Sequence, residues 1–241
     1  MNTASFRDAN YFYPLSKRLA NRMTMDDIKK AIEDADAARL SGLLSGSATR
    51  ANTLITWGKH DEIHTHPLHY VSDMVIASVI PRGKEVALID ALLTAGANVN
   101  HQAESGETPL IGAASLSAED VGLRLLEGGA RPETKGAFGE TALHWAAHKG
   151  LCRLVSALIN KGADVHIRDS RWDATPLGWA IHGWTTVSPY ETRRYPEVVA
   201  LLVKAGAEIR PEWFSQEGLR TNQDMLRALR HPNEFLKERA G

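Results

Sequence analysis

The chain has 241 residues, of which 43% are hydrophobic and 24% are charged, and its formal net charge at pH 7 is −1. This composition is that of a folded protein with a substantial apolar core. The near-neutral charge gives no electrostatic basis for general binding to nucleic acid or to an anionic membrane. The first thirty residues contain no apolar run long enough for a signal peptide or a spanning helix, and Cys152 is the one cysteine. We therefore expect a cytoplasmic protein without intrachain disulfides.

In chain order, the first segment is an arm over residues 1–22 that contains four aromatic side chains. Apolar residues then recur at helical spacing between residues 24 and 46, for example at Ile28, Ile32, Leu40 and Leu44. This pattern predicts amphipathic helices with one face to bury. We assign residues 23–60 to a helical cap with half of a repeat unit, followed by a connector.

Four histidines lie between residues 60 and 69, and Asp73 follows one helical turn after His69. Imidazole and carboxylate groups bind zinc when three or four of them converge. His64, His66, His69 and Asp73 are the candidate ligands, because His69 and Asp73 are spaced to share one face of a helix. A metal-binding or small-ligand-binding protein centred on His60–His69, with cryptic enzymatic activity as one form of it, is therefore an alternative function.

Short motifs recur at a fixed period through the rest of the chain. The triplets that begin at Thr108, Thr141 and Thr175 are 33 and 34 residues apart, and the run His66-Pro-Leu-His is an earlier copy. Each unit closes on a Gly-Ala pair, and the central unit reads Gly-Glu-Thr-Ala-Leu-His-Trp-Ala-Ala from Gly139. A period of 33 residues with this signature resembles the ankyrin repeat family.

The resemblance implies an all-α solenoid of stacked helix–turn–helix units with short β-turn fingers and helical caps. We place four repeats at residues 61–100, 103–135, 136–168 and 170–209, the first and last with insertions, and C-terminal capping helices at residues 210–241. Thr before Pro suits a helix start, the following Leu points inward, and Gly ends each second helix. In the family the motif histidine bonds between repeats, which we expect of His69 and His144. Ile111 and Gly178 interrupt that series.

Two stretches exceed the regular period. The first adds nine residues around 73–85 and contains Met74, Val75 and Ile80, which favours a helix extension packed into the core. The second adds ten residues around 184–196, with Tyr190 and Arg193 among its aromatic and basic side chains. Such side chains are typical of interface anchors. The alternative is a loop that folds back over its own helices and buries Trp184 and Tyr195.

The family geometry places the turn residues and the first helices on one concave surface, where a protein partner of unknown identity would bind. Phe138 and Trp172 are the leading contacts, because two large apolar groups on adjacent turns would face water unless covered. Packing against neighbouring turns is the alternative. The remaining predicted contacts are Glu104, Glu107, Glu140, His148, Lys149, Arg171, His182, Tyr190 and Arg193.

A row of larger side chains is predicted four residues after each motif start, at Tyr70, Trp145 and Trp179, with Gly112 leaving a notch between them. We expect this row to be mainly framework. No Walker-type loop, nucleophile elbow or HExxH motif is present. The sequence thus predicts a non-enzymatic protein-binding module that needs no cofactor and binds neither nucleic acid nor membrane.

Overall fold

The computed structural model describes residues 25–58, 63–186 and 194–239, and most of them are helical. No helix within these ranges is long and apolar enough to cross a lipid bilayer. The elements, numbered in chain order, are α1 (25–33), α2 (Ala37–Leu44), α3 (Ala48–Asn52), β1 (Ile55–Trp57), β2 (Ile63–Thr65), α4 (Pro67–Ile76), α5 (Glu85–Thr94), α6 (Pro109–Ser115), α7 (Glu119–Glu127), α8 (Ala142–His148), α9 (Cys152–Asn160), α10 (Pro176–Thr186), α11 (Tyr195–Lys204), a 3-10 helix (Pro211–Ser215), α12 (Glu217–Thr221), α13 (Gln223–Arg230) and α14 (Pro232–Arg239).

The helices stack in two layers, as the repeat period predicts. The first helices α4, α6, α8 and α10 pack in one row, the second helices α5, α7, α9 and α11 pack in another, and each first helix packs on its own second helix. The core therefore runs continuously between repeats. The inward leucine is confirmed in every unit, since Leu68, Leu110, Leu143 and Leu177 are each at most 1% exposed. The predicted ankyrin-type solenoid is confirmed.

The first helices of the later repeats begin at threonine caps, and the second helices end at glycines, as the sequence predicts. Thr108 Oγ1 accepts the N–H of Ile111 at 3.3 Å, and Thr175 Oγ1 accepts that of Gly178 at 3.3 Å, so each threonine caps its helix. A glycine with positive φ ends each second helix, because glycine has no Cβ atom to make this conformation unfavourable. These glycines are Gly96, Gly129, Gly162 and Gly206.

The two insertions differ in structure. Helix α4 has 10 residues where α6 and α8 have 7, which confirms a helix extension. The extension ends, however, at Ile76, which is 52% exposed. In the loop that follows, Ile80 is buried while Val79 is 44% exposed. At the second insertion, α10 continues to Thr186 and the next described residue is Arg194. Residues 187–193, which include the predicted contacts Tyr190 and Arg193, lie outside the described residues.

Both ends of the stack are covered by helices. At the start, Ile28, Ile32, Leu40 and Leu44 are fully buried, and α2 packs against α5. Strands β1 and β2 form an antiparallel hairpin in which Ile55 pairs with Thr65 and Trp57 with Ile63. At the other end, α13 and α14 pack against α11. Their buried side chains are Met225, Ala228, Leu229 and Phe235.

Helix α10 lies close against the end of α8 at Gly183. A Cβ atom added there would lie 2.2 Å from the carbonyl oxygen of His148, whereas one added at Gly178 would meet nothing nearer than 3.5 Å. The Tyr195 hydroxyl donates to the same His148 oxygen at 2.7 Å. Because Tyr195 is 2% exposed and Trp184 packs against the core, both aromatic residues at the edges of the second insertion fold back onto the repeats.

We expect Gly183→Ala to destabilise the protein by about 1–3 kcal/mol, because the backbone of α8 must move to admit the methyl group. Gly178→Ala in the same helix is the matched control and is expected to be neutral or stabilising by up to about 1 kcal/mol, since alanine favours helix. Urea unfolding of both variants measures the difference. Equal stabilities would contradict the close contact.

Candidate protein-binding face

The first helices and the turns before them form one surface, which is concave in the arrangement that the repeat resemblance implies. We call the turns over residues 101–107, 136–140 and 169–175 the first, second and third fingers. The β1–β2 hairpin takes the corresponding place before α4. The predicted contacts that the structure describes lie in these fingers, in α8 and α10, or, for Lys149, directly after the last residue of α8.

The second and third fingers are joined to each other. The backbone N–H and the hydroxyl of Ser170 both donate to the Phe138 carbonyl, at 2.6 and 2.9 Å. The guanidinium carbon of Arg171 lies 4.9 Å from the Phe138 ring centroid and 5.1 Å from that of Trp172. Even so, Phe138 is 49% and Trp172 61% exposed. Arg171 of the third finger therefore covers part of the Phe138 ring in the second finger and part of the Trp172 ring in its own finger, and about half or more of each residue stays exposed.

Asp169 shapes the third finger, although sequence reasoning did not single it out. It is 2% exposed, and its Oδ1 accepts the N–H groups of Arg171 and Trp172 at 2.9 and 2.8 Å. Its Oδ2 accepts the N–H of Ala174 at 3.1 Å and the indole Nε1–H of Trp179 at 3.0 Å. Burial acts to raise the pKa of Asp169, but these donors hold it below its ordinary value. An Asp that opens a turn is the signal that could have found it.

Beside the third finger lies a cavity of about 340 Å³, which we call the aromatic pocket. Trp145, Trp172 and Trp179 form its walls, together with His148 and His182. Trp179 packs edge-to-face against Trp145, with ring centroids 5.0 Å apart, and against Trp172, with centroids 5.3 Å apart. Because Asp169 holds the indole of Trp179, one wall of the pocket is fixed before anything binds.

Several predicted contacts come together here. His148, Trp172 and His182 line the aromatic pocket, and the Lys149 ammonium lies 5.9 Å from the Trp145 ring centroid. Glu140, another predicted contact, makes a hydrogen bond within its own finger. Its Oε2 accepts the backbone N–H of Phe138 at 2.9 Å and so stabilises the second finger.

The predicted row of large side chains has two roles. Tyr70 is framework, being 1% exposed with its hydroxyl donating to Glu33 Oε1 at 2.7 Å. Trp145 and Trp179 pack together but also form the walls of the aromatic pocket. Gly112 leaves a notch that Glu107 and His69 approach, since an added Cβ would lie 3.3 Å from both Glu107 Oε1 and His69 Nδ1.

That notch belongs to a second cavity, of about 770 Å³, between the β1–β2 hairpin, α4, the first finger and α6. We call it the acidic groove, because Asp73, Glu104 and Glu107 line it and no Lys or Arg does so within the described residues. Burial raises the pKa of Asp73. Burial also raises the pKa of Glu107, and the Asp73 charge raises it further. The carboxylates therefore repel each other across the groove.

The predicted histidines His64, His66 and His69 line the same groove, joined by His101, which sequence reasoning missed. His66 stacks on His101 with ring centroids 4.4 Å apart. Burial lowers the pKa of His66 to about 3 and that of His69 to about 4. The charge of nearby His101 adds to both decreases, while a hydrogen bond to the His101 backbone partly opposes the decrease at His69. These two imidazoles are neutral at pH 7 and leave the groove's negative charge uncompensated.

His66 caps α4 in the place of the threonine found in other repeats. Its Nδ1 accepts the N–H of Leu68 at 3.3 Å, and its Nε2 lies 3.1 Å from Asn52 Oδ1. Because that oxygen can only accept, Nε2 carries the ring proton. Asn52 Oδ1 also accepts the N–H of Asn98 at 2.6 Å. His66 thus ties the helix start to the N-terminal cap.

The expected bond between repeats is confirmed for His144, whose Nε2 lies 3.2 Å from the Ala174 carbonyl oxygen in the third finger and donates to it. Its Nδ1 accepts the N–H of Thr141 at 3.1 Å. For His69, a hydrogen bond to the His101 backbone in the next unit acts to raise the pKa, and the two rings are in contact at a centroid distance of 6.1 Å. By distance and angle, however, its Nε2 has no hydrogen-bond partner within the described residues.

The metal alternative has no support in the described part of the chain. Residues 25–58, 63–186 and 194–239 contain no group of three or more His, Cys, Asp or Glu side chains that could hold a metal ion. His66 would have to give up its helix cap to become a ligand. His60, Asp61 and Glu62, the rest of the histidine run, lie outside the described residues.

Comparison with known proteins agrees with this architecture. The family model for ankyrin repeats (3 copies) matches residues 74–169 and 118–212, which together make up more than half of the chain. The chain therefore belongs to the ankyrin repeat family.

Similar proteins share only part of their length with this chain. Ankyrin repeat and KH domain-containing protein 1 of Homo sapiens is 37% identical over 86 residues, which are 35% of this chain and 3% of that protein. Ankyrin repeat and SOCS box protein 16 of Homo sapiens is 37% identical over 120 residues, covering 49% and 26%. ANK repeat-containing protein nipk-1 of Caenorhabditis elegans is 32% identical over 108 residues, covering 43% and 18%.

Acid should destabilise the fold through the buried histidines. When the pKa of a histidine is lower in the folded protein than its unfolded value of about 6.5, acid protonates the unfolded state first. The free energy of unfolding is therefore highest above that value and decreases as the pH falls below it. For His66, with a folded pKa of about 3, the unfolding free energy should drop by about 2 kcal/mol between pH 7 and pH 5. The raised pKa values of Asp73 and Glu107 act in the opposite direction.

His66→Thr isolates this contribution, because threonine can also cap a helix but does not titrate. Urea unfolding at pH 7 and pH 5 should show a smaller acid loss in the variant than in the wild type, while the carboxyl contributions cancel. Parallel losses in both proteins would contradict the assignment of His66 as a buried neutral cap.

Proposed function

We propose that the chain is a protein-interaction module that holds a polypeptide partner on its concave face and fingers. Ankyrin repeats in general bind proteins. The observation that carries the proposal is the aromatic pocket, a cavity of about 340 Å³ walled by three tryptophans. Such a cavity, with the exposed Trp172 ring as one wall and the exposed Phe138 ring on the neighbouring finger, suits a large apolar or aromatic side chain of the partner.

The setting of the pocket supports an anchor of this kind. Asp169 fixes the third finger and the Trp179 ring in advance, so binding orders few groups that were free. Arg171 and Lys149 lie beside the rings at the rim. Their positive charge favours a partner with acidic residues next to its anchor.

We also infer that binding, without catalysis, is the activity of this chain, in line with the ankyrin family generally. The negative charge of the acidic groove on the same face disfavours nucleic acid as the partner. A reducing cytoplasmic location is supported by the composition, in which Cys152 is the sole cysteine. Burial raises the pKa of the Cys152 thiol, which makes it a poor nucleophile.

Panning a displayed library of random 12-residue peptides against the full chain tests the anchor. Selected peptides should share a Trp, Phe, Tyr or Leu residue, and Phe138→Ala/Trp172→Ala should weaken their binding about tenfold or more. Fluorescence anisotropy measures the dissociation constants, and urea unfolding should be nearly unchanged because both side chains are largely exposed.

Ile76→Ala/Val79→Ala is the matched control, since it removes two exposed apolar side chains from the end of α4 and the loop after it instead of from the fingers. These peptides should bind the control as they bind the wild type. A fingers variant that binds as tightly as the wild type would refute the assigned face.

A further inference from the structure

The acidic groove carries a charge that nothing within the described residues balances. Asp73, Glu104 and Glu107 line it without any Lys or Arg, and none of the three forms an ion pair in those residues. Desolvated carboxylates without a counter-charge are unfavourable, and a cation placed among them relieves both the desolvation and their mutual repulsion. The groove is therefore complementary to a positive group.

The acidic groove is also lined by residues whose buried polar atoms lack hydrogen-bond partners within the described residues. Ser72 is 1% exposed and His69 is 9% exposed, yet Ser72 Oγ and His69 Nε2 have no hydrogen-bond partner within the described residues. The indole Nε1 of Trp57 and Nδ1 of His101 are also buried and unpartnered there. All four residues line the acidic groove. Buried polar groups in folded proteins are nearly always satisfied, so this set indicates a site completed by a polar ligand.

Helix α6 lets two polar groups of the groove come together. Because Gly112 has no side chain, Glu107 Oε1 and His69 Nδ1 both approach its backbone, and an added Cβ would lie 3.3 Å from each. All three residues line the groove. Glu107 Oε1 accepts a long hydrogen bond of 3.5 Å from Ser115 Oγ, which leaves its other oxygen available. A lysine ammonium or an arginine guanidinium donates three or more hydrogen bonds and accepts none, which matches the carboxylate oxygens.

The acidic groove and the aromatic pocket follow each other along one face. The groove lies between α4 and α6, the pocket lies between α8 and α10, and these four helices pack in sequence. Packed helices are 8–10 Å apart, so the two sites are separated by ~16–20 Å. An extended polypeptide spans that distance with ~5–6 residues.

We infer that the acidic groove receives a lysine or arginine side chain of the bound polypeptide, about five or six residues from the side chain anchored in the aromatic pocket. The inference rests on the proposed function for the identity of the partner as a polypeptide. It adds a second site, of opposite chemistry, that would set the partner's direction and register. The neutral imidazoles of His66 and His69 add no positive charge to the groove at pH 7 and so do not compete with the cation.

Panning the random 12-residue library against the full chain and against Asp73→Asn/Glu107→Gln tests the inference. Wild-type selections should be enriched in Lys or Arg at the stated spacing from an aromatic residue, and the double variant should lose the basic enrichment while keeping the aromatic one. Asp90→Asn/Glu127→Gln is the matched control, because it changes the same charge on the second helices α5 and α7, away from the groove, where both carboxylates contact Arg124.

A double-mutant cycle then locates the cation. Replacing the basic residue of a selected peptide by Ala should weaken its binding to the wild type and to the control by about tenfold or more, and to Asp73→Asn/Glu107→Gln by less than about twofold. Circular dichroism and urea unfolding establish that each variant is folded.

Aromatic enrichment without basic enrichment would overturn the groove assignment and leave the proposed function standing, with water alone in the groove. Basic enrichment that survives in Asp73→Asn/Glu107→Gln would also overturn it. Basic enrichment lost in that variant, without any aromatic preference, would support the groove and refute the anchor. A library that yields no binder would refute both.

Discussion

The whole binding face depends on the burial of one leucine in each repeat. Leu68, Leu110, Leu143 and Leu177 occupy the same position in successive repeats and are almost completely shielded from water. Each contributes about 1.5–3 kcal/mol relative to an exposed leucine, and the gain exists only when the next helix pair is in place. Regular burial at this position fixes the spacing of the first helices. That spacing in turn sets where the fingers present their side chains.

Polar groups at the helix starts distinguish two sites on this regular stack, the acidic groove and the aromatic pocket. The same hydrogen bonds that satisfy free backbone N–H groups also orient side chains on the concave face. His66 caps α4 and brings its ring against His101 in the acidic groove. Asp169 organises the third finger and holds Trp179 in the aromatic pocket. Helix capping and site construction are therefore the same set of interactions here.

Sequence reasoning was strong where structure follows from local chemistry repeated at a fixed period. The helix pairs, the inward leucines, the threonine caps and the exposed Phe138 and Trp172 were all predicted. It was weaker where contacts cross between repeats. His101 meets His66 from 35 positions away, and Trp172 joins Trp145 around one cavity, and neither pairing has a periodic signal. The apolar run after Asp73 also misled in part, because burial of Ile80 in a loop uses the same residue types as burial in a helix.

Asp169 has a consequence for how such a protein changes over evolutionary time. Its carboxylate receives four N–H groups, three from the backbone and one from an indole, so the shape of the turn does not depend on the side chains of Arg171 and Trp172. Those two positions are free to vary while the loop conformation persists. Descendants of one ancestral gene can therefore acquire new binding preferences by substitution at the tips, without passing through unstable intermediates.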